Sequence, residues 1–323
     1  MSEPVQSQQV TAKSGSNLAA AFILLPKAKR EAMTALYAFC RKVDDVADDE
    51  NVPLAKRREG LQSWRDEIRL VCDGKDSTNP ICQELAPFVR LNQLPFNLFD
   101  ELIIGMETDL EKVRYADLEE LKQYCYRAAS VVGLLTVRVL GCELGQADAY
   151  AENIGQALQL TNILRDVAED AARDRIYLPQ SILEKYSVDE SDILEDRFTI
   201  GYENAAQEIA ERAWAHYRLA RESFPLEQKH QLVASEAMGA TYWRLLMKLR
   251  AVRYNAFQTN RTLKLSDEAW AESVPNLEIE NNDVKCSHAS AVGPIDGEQK
   301  FYLESRGVPD EIAEALVVKG FFA

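Results

Sequence analysis

GQALQLTNILRDVAEDAARDRIYLP, residues 155–179, is the stretch on which the reading of this chain turns. Counted in fours from Ile154 it runs Ile154, Leu158, Asn162, Asp166, Asp170, and residues four apart stack on one helix face. An apolar stripe therefore passes straight into an amide and two carboxylates. Leu160, Ile163, Leu164 and Val167 form the neighbouring stripe and turn this side of the helix toward a core. Carboxylates on the inward side of a helix are costly unless something cationic meets them. Glu169 adds a further acid beside them. The stretch reads as a site, with a metal ion as its counter-charge.

The same pattern occurs a second time. PKAKREAMTALYAFCRKVDDVADDE, residues 26–50, places Met33, Leu36, Tyr37 and Cys40 on one stripe, followed by Asp44, Ala47 and Asp48. Asp45 and Asp49 make a parallel pair about 100° round the helix. A lone acidic repeat on a helix is ordinarily a solvated face. Two repeats, each continuous with an apolar stripe, point instead to magnesium held between facing helices. Magnesium usually takes one or two carboxylates, with phosphate oxygens and waters completing its shell. A diphosphate suits such a cavity, and Arg41, Arg165, Arg173 and Arg175 are placed to supply further positive charge to its oxygens.

Composition limits the alternatives. The chain has 323 residues, with 37 Lys and Arg against 52 Asp and Glu, a net charge of −15 that argues against nucleic acid as a partner. The cysteines, at 40, 72, 82, 125, 142 and 286, include no CxxC pair, and they read as free thiols in a reducing compartment. The polar N-terminus lacks the apolar centre of a signal peptide. The longest apolar run, residues 18–25, is far below the roughly 20 residues of a spanning helix. A cytoplasmic protein is expected, able to touch a membrane from its surface; its oligomeric state is left open.

Along the chain, residues 1–17 read as a flexible segment. Helices are predicted over about 27–49, 53–72, 80–92, 95–108, 117–140, 155–175, 201–223 and 230–257, with 180–199 a polar loop holding one short helix. Asp117 and Glu120 form a capping box. Ala128, Ala129, Ser130 and Gly133 are small; close helix packing and the wall of an apolar pocket account for them equally. No alternating strand is evident before about residue 275, so this part is predicted to be an all-α bundle. After 265 the character changes: 266–275 reads as a linker and 276–323 as an appendage with a strand and turn, then two short helices.

The chemistry of such a site follows from its charges. A metal ion stabilises a departing diphosphate, and an allylic remainder becomes a carbocation that must be kept from water and favours aromatic faces. Phe22, Tyr37 and Tyr124 are candidates, each also explicable as ordinary core. Aspartate spacing alone does not separate head-to-tail elongation, cyclisation and head-to-head coupling.

Longer strings do. LPKAKREAMTALYAFCRKVDDVADD, YCYRAASVVGLL and ALQLTNILRDVAEDAARDRIYLP resemble the squalene/phytoene synthase family over about residues 13–265. The resemblance implies an α-helical isoprenoid-synthase fold and 1′-1 coupling of two prenyl diphosphates through a cyclopropyl intermediate. By position it puts the first metal–diphosphate motif on Asp44 and Asp48 and the second on Asn162, Asp166 and Asp170. It places Tyr37 and Arg41 near the diphosphate, with Tyr124, Ala128, Val132 and Gln159 lining the substrate cavity. Mg2+ (or Mn2+) is the implied cofactor, and NADPH is needed only for onward reduction to squalene.

Within the family, KSGSNLAAAFILLP and GMETDLEKVRYADLEELKQYCYR are most similar to bacterial presqualene diphosphate synthases, which use farnesyl diphosphate. Phytoene synthases, using two geranylgeranyl diphosphates, are the alternative. Asn17, Leu18, Ala19 and Ala20 stand where the family usually carries aromatic residues, and the closing helix gives way after 265. Those departures admit a reading from another class, a non-catalytic binding or scaffold protein. The tail NLEIENNDVKCSHASAVGPIDGEQKFYLESRGVPDEIAEALVVKGFF resembles the end of Suf-type iron–sulfur cluster assembly scaffolds, with Cys286 and His288 at the positions of that family's functional Cys and His. One Cys and one His do not complete a metal site.

Overall fold

The computed structural model describes residues 6–13, 21–251, 257–264, 287–294 and 297–321. Its chain separates into two compact units, 1–249 and 250–323.

The first unit is helical. It comprises α1 (Gln6–Lys13), α2 (Lys27–Asp48), α3 (Leu54–Cys72), α4 (Pro80–Leu91), α5 (Phe96–Asp109), α6 (Leu118–Cys125), α7 (Val131–Val139), α8 (Asp148–Arg165), α9 (Val167–Ala171), α10 (Gln180–Lys185), α11 (Glu190–Leu194), α12 (Ile200–Glu222) and the start of α13 (Val233–Ala251). Local signals set many of the ends. Asn79 accepts from the amides of Ile81 and Cys82 at 3.0 and 3.2 Å, with Pro80 in the first turn of α4. Asp117 accepts from Glu119 and Glu120, and the Glu120 carboxylate reaches back to the Ala116 amide at 2.8 Å, a capping box displaced by one residue.

The stripe of α2 buries Met33, Leu36, Phe39, Val43 and Ala47. Phe39 is fully buried, edge-on to Trp64 of α3 at 5.5 Å and to Phe99 of α5 at 5.3 Å. Burial of a side chain of this size stabilises by about 1.5–3 kcal/mol. α12 lies along α8.

The small residues of the α6–α7 region resolve toward packing. A π-helical turn, Tyr126–Ser130, joins the two helices. A Cβ on Gly155 of α8 would lie 2.5 Å from Ser130 Cα, and one on Gly133 would lie 2.7 Å from the Ala151 carbonyl oxygen. Backbone meets backbone there, which only glycine permits. Ala128, Ala129 and Val132 stay half-buried beside this contact.

Several local expectations differ from the structure: residues 180–199, read as a polar loop with one short helix, hold two, α10 and α11. Residues 6–13, read as flexible, form α1, because the Glu84 carboxylate of α4 accepts from the Gln6 and Ser7 amides at 3.0 and 3.1 Å. The helix read through 155–175 is interrupted at Asp166, whose backbone (φ −100°, ψ 10°) leaves the helical range. The final helix, predicted to 257, is described as far as Ala251, and Phe257–Lys264 is a strand where none was expected.

That strand, β1, belongs to the second unit and pairs in parallel with β2 (Ser287–Pro294) in the register Phe257↔Ser287 to Lys264↔Pro294. Parallel strands need a connection of a dozen or more residues, and the sequence between them supplies it. α14 (Gly297–Ser305) and α15 (Asp310–Phe321) follow, tied by Lys300 to Asp310 at 2.6 Å and to Glu314 at 3.2 Å. His288 falls on β2 opposite Gln258. Asn17–Ala20, Cys286 and the whole linker 266–275 lie outside the described residues.

Candidate active site

Tyr37, Arg41, Asp44 and Asp48 follow one another along α2, half-buried or at its edge. Asn162 ends the buried stripe of α8, Asp166 occupies the break after it, and Asp170 lies on α9. The break does not scatter this second motif. The Asp166 amide donates to the Asn162 carbonyl and the Asp170 amide to the Asp166 carbonyl, each at 2.9 Å, so the i, i+4 relation survives the interruption. Glu169 points to solvent.

After α9 the chain runs extended through Arg175–Leu178, fixed by Ile176 N–H to the Val113 carbonyl at 2.9 Å and Gln180 N–H to Tyr115 at 2.8 Å. This segment carries Arg175 inward, where its Nη1 donates to Asp48 Oδ1 at 3.2 Å with the side chain only 10 % exposed. Arg173 approaches the other Asp48 oxygen at 3.7 Å. Arg175 also lies within electrostatic reach of Asp44 and Asp170. One guanidinium thus draws the two motifs together.

The remaining acids hold local partners. Arg41 pairs with Asp44 at 2.9 Å and Asp45 at 3.0 Å. Arg165 forks onto Asp166 with two contacts of 2.6 Å, its guanidinium 6.0 Å above the Tyr242 ring. Positive charge does not cover the cluster. Burial, then the Asp48 charge, pushes the Asp44 carboxyl up to about 6. Burial, then Asp166, does the same to Asp170, also to about 6. For both carboxylates, burial and the neighbouring acids outweigh the nearby arginines.

Asn162 gives the test for a metal ion. Its Oδ1 is buried with no hydrogen-bond partner, while its Nδ2 reaches only the Gln159 Oε1 at 3.5 Å. An orphaned buried carbonyl oxygen is rare, and this one continues the line of Asp166 and Asp170. Hard oxygen donors with unmet negative charge fit Mg2+ or Mn2+. Among the described residues no three His, Cys, Asp or Glu side chains form a group that could hold an ion by themselves.

The apolar candidates divide. Phe22 is buried, its ring edge-on to Tyr37 at 6.1 Å. Tyr124 lies elsewhere, stacked on Tyr177 at 5.0 Å and beside Tyr115 at 5.3 Å. Gln159, one turn before Asn162, is half-buried. Sequence reasoning missed Tyr242, Tyr177 and Asp109, a carboxyl 7 % exposed that accepts from the Tyr177 hydroxyl at 3.2 Å. A signal for Asp109 was present: an acid closing the apolar helix FNLFDELIIGMETD. A cleft of about 840 Å³ opens away from the motifs, lined by Arg58, Asp66, Glu67, Glu107 and Glu111. Its carboxylates repel an anionic diphosphate.

The two acidic motifs and the arginines between them lie in the first unit, and comparison with known proteins identifies its family. Residues 11–268 match the family profile of squalene/phytoene synthase. The chain belongs to the squalene/phytoene synthase family. As a member it is a prenyltransferase, and its relatives bear this out. It is 36 % identical over 250 residues to the presqualene diphosphate synthase of Rhodopseudomonas palustris, covering 77 % of this chain and 88 % of that one. It is 34 % identical over 259 residues to the phytoene synthase of Mycobacterium tuberculosis, covering 76 % and 81 % respectively. The crystal structure of squalene synthase HpnC from Alicyclobacillus acidocaldarius aligns with a TM-score of 0.67 at 26 % identity, covering 76 % of this chain and 91 % of that one. Residues 229–321 also match the profile of the SUF system FeS cluster assembly SufBD core domain. The two matches overlap over residues 229–268, which include α13 and β1. Among the described residues no helix is long and apolar enough to cross a membrane.

Proposed function

We propose that this squalene/phytoene synthase family member condenses two farnesyl diphosphates head to head into presqualene diphosphate, with Mg2+ as its metal ion. The observation that carries the reading is Arg175, which bonds Asp48 and lies within electrostatic reach of Asp170. The first helical unit holds both motifs, so the reaction is assigned to it and not to the tail.

Asp44, Asp48, Asn162, Asp166 and Asp170 would hold the metal ion, which when bound supplies electrostatic stabilisation of the leaving diphosphate. Arg41, Arg165, Arg173 and Arg175 donate to diphosphate oxygens and exchange their present carboxylate partners for them. In the donor the C–O bond to diphosphate breaks. New carbon–carbon bonds close a cyclopropane on the acceptor, and diphosphate and one proton leave. The Phe22–Tyr37 pair offers aromatic surface next to Arg41, suited to shielding the cationic carbon from water.

A farnesyl substrate is supported by the higher identity to the presqualene diphosphate synthase, 36 % over 250 residues against 34 % over 259 for the phytoene synthase. The second reading is phytoene formation from two geranylgeranyl diphosphates. Incubation with Mg2+ and each labelled diphosphate, with and without NADPH, followed by product identification, separates them. Presqualene diphosphate is the expected product. Turnover of the C20 substrate alone favours phytoene formation, and no product from either supports a non-catalytic descendant of the family.

A further inference from the structure

The roles above leave Asp109 unused. Its carboxyl is 7 % exposed at the C-terminal end of α5, where the helix dipole disfavours negative charge. A carboxylate so placed is retained at a cost unless its partners use it. Tyr177 donates its hydroxyl to Asp109 Oδ1 at 3.2 Å, and Tyr124 donates to the Tyr177 hydroxyl at 3.4 Å. The three rings of Tyr115, Tyr124 and Tyr177 pack together at 5.0–5.5 Å, so the hydroxyls have little freedom. Arg175, two residues before Tyr177, feels the charge of Asp109 without direct contact to its carboxylate.

Arg175 therefore answers to two acids with different obligations. Asp48, at 3.2 Å, is 38 % exposed at its side chain and must change partner when a metal-bridged diphosphate arrives. Asp109 is enclosed and cannot leave. The backbone bonds from Ile176 and Gln180 to Val113 and Tyr115 hold the extended segment against the chain that follows Asp109.

We propose that Asp109 is a positioning residue: through Tyr177 and its charge it keeps the Arg175 guanidinium at the diphosphate end of the site while Asp48 exchanges partners. This inference rests on the diphosphate reading of that site.

Calorimetric titration of the full-length protein with inorganic pyrophosphate in Mg2+ tests it, using D109N, D109E, R175Q and the D109N/R175Q double variant. D109N is expected to weaken pyrophosphate binding about tenfold, and D109E to recover part of the loss. The double variant is expected to bind no more weakly than R175Q alone, because Asp109 acts through Arg175. Wild-type affinity in D109N, or losses that simply add in the double variant, overturns the proposal. Should D109N not fold, Y177F keeps the ring stack and removes the donor to Asp109; a severalfold loss is expected and an unchanged affinity overturns the idea. A wild-type protein that binds pyrophosphate with this coupling but forms no product overturns the coupling reaction and supports the positioning role. A wild-type protein that binds no pyrophosphate overturns both.

Discussion

Arg175 and Asp48 stand 127 positions apart in the chain, yet Nη1 of one donates to Oδ1 of the other at 3.2 Å. The contact ties the segment behind the second aspartate motif to the end of the first. Neither motif's spacing implies it. It makes the two acidic faces, each unfavourable alone, into one site with a shared cation.

Asp166 occupies the break between α8 and α9 and holds Arg165 by two bonds of 2.6 Å. Asp166→Asn removes the charge but leaves the volume. Turnover is expected to fall by about 10²-fold or more, in line with the loss of a preorganised electrostatic contact, with the helical circular-dichroism spectrum unchanged. Near-normal turnover would place the second metal site elsewhere.

Asn162→Leu tests the orphaned oxygen. The change removes a buried, unpartnered acceptor, so it should leave thermal stability equal or slightly raised. The Mg2+ concentration needed for half-maximal pyrophosphate binding should rise about 10-fold or more, the scale on which metal sites lose affinity with a supporting group. An unchanged metal requirement with lowered stability would make Asn162 a packing residue.

Three carboxyls titrate high in the folded protein: Asp44 and Asp170 at about 6 and Asp109 at about 7, each raised chiefly by burial. The folded state binds these protons more tightly than the unfolded chain, whose carboxyls titrate near 4. These groups therefore favour the fold most at low pH, and their contribution is lost as pH rises from about 4 through 7. Asp109→Asn removes the most buried of them. The melting temperature of this variant relative to wild type should be higher at pH 8 than at pH 5 by at least 2–4 °C, the shift that ~1 kcal/mol gives in a domain of this size. A difference that does not change with pH would contradict the assignment.

Gly155→Ala puts a Cβ 2.5 Å from Ser130 Cα and 2.7 Å from its amide nitrogen. Backbone cannot yield as a side-chain tip does, so α8 must move away from the π-helical turn. A cost of about 1–3 kcal/mol is expected, read as a lower melting temperature. Tolerance of alanine would show that this crossing is looser than drawn.

The division of the chain near residue 250 leaves both aspartate motifs on the first unit. Truncation after Ala251 should preserve helical content and product formation. Loss of solubility with loss of turnover would mean that the tail covers apolar surface of the synthase.

The sequence by itself determined the helical class, the Asp117–Glu120 cap, the two acidic faces and the family. Those features are local: side-chain periodicity, a capping residue or a short string reports the conformation of its own segment. The small residues at 128–133 read equally as close packing and as a pocket wall, since a glycine's neighbour across a helix crossing leaves no mark in its own segment. β1 was missed for a related reason. FQTNRTLK earns its strand from a partner 30 residues away, and a single strand has no stability of its own.

Only the tertiary structure decided that Asp48 meets Arg175, that Asp109 and Tyr177 stand behind that pair, and that the Asn162 oxygen is left unpaired. Each depends on which helix faces lie opposite one another and on an extended segment pinned between Val113 and Tyr115. Long-range packing sets these relations, and the periodicity of no single helix encodes them.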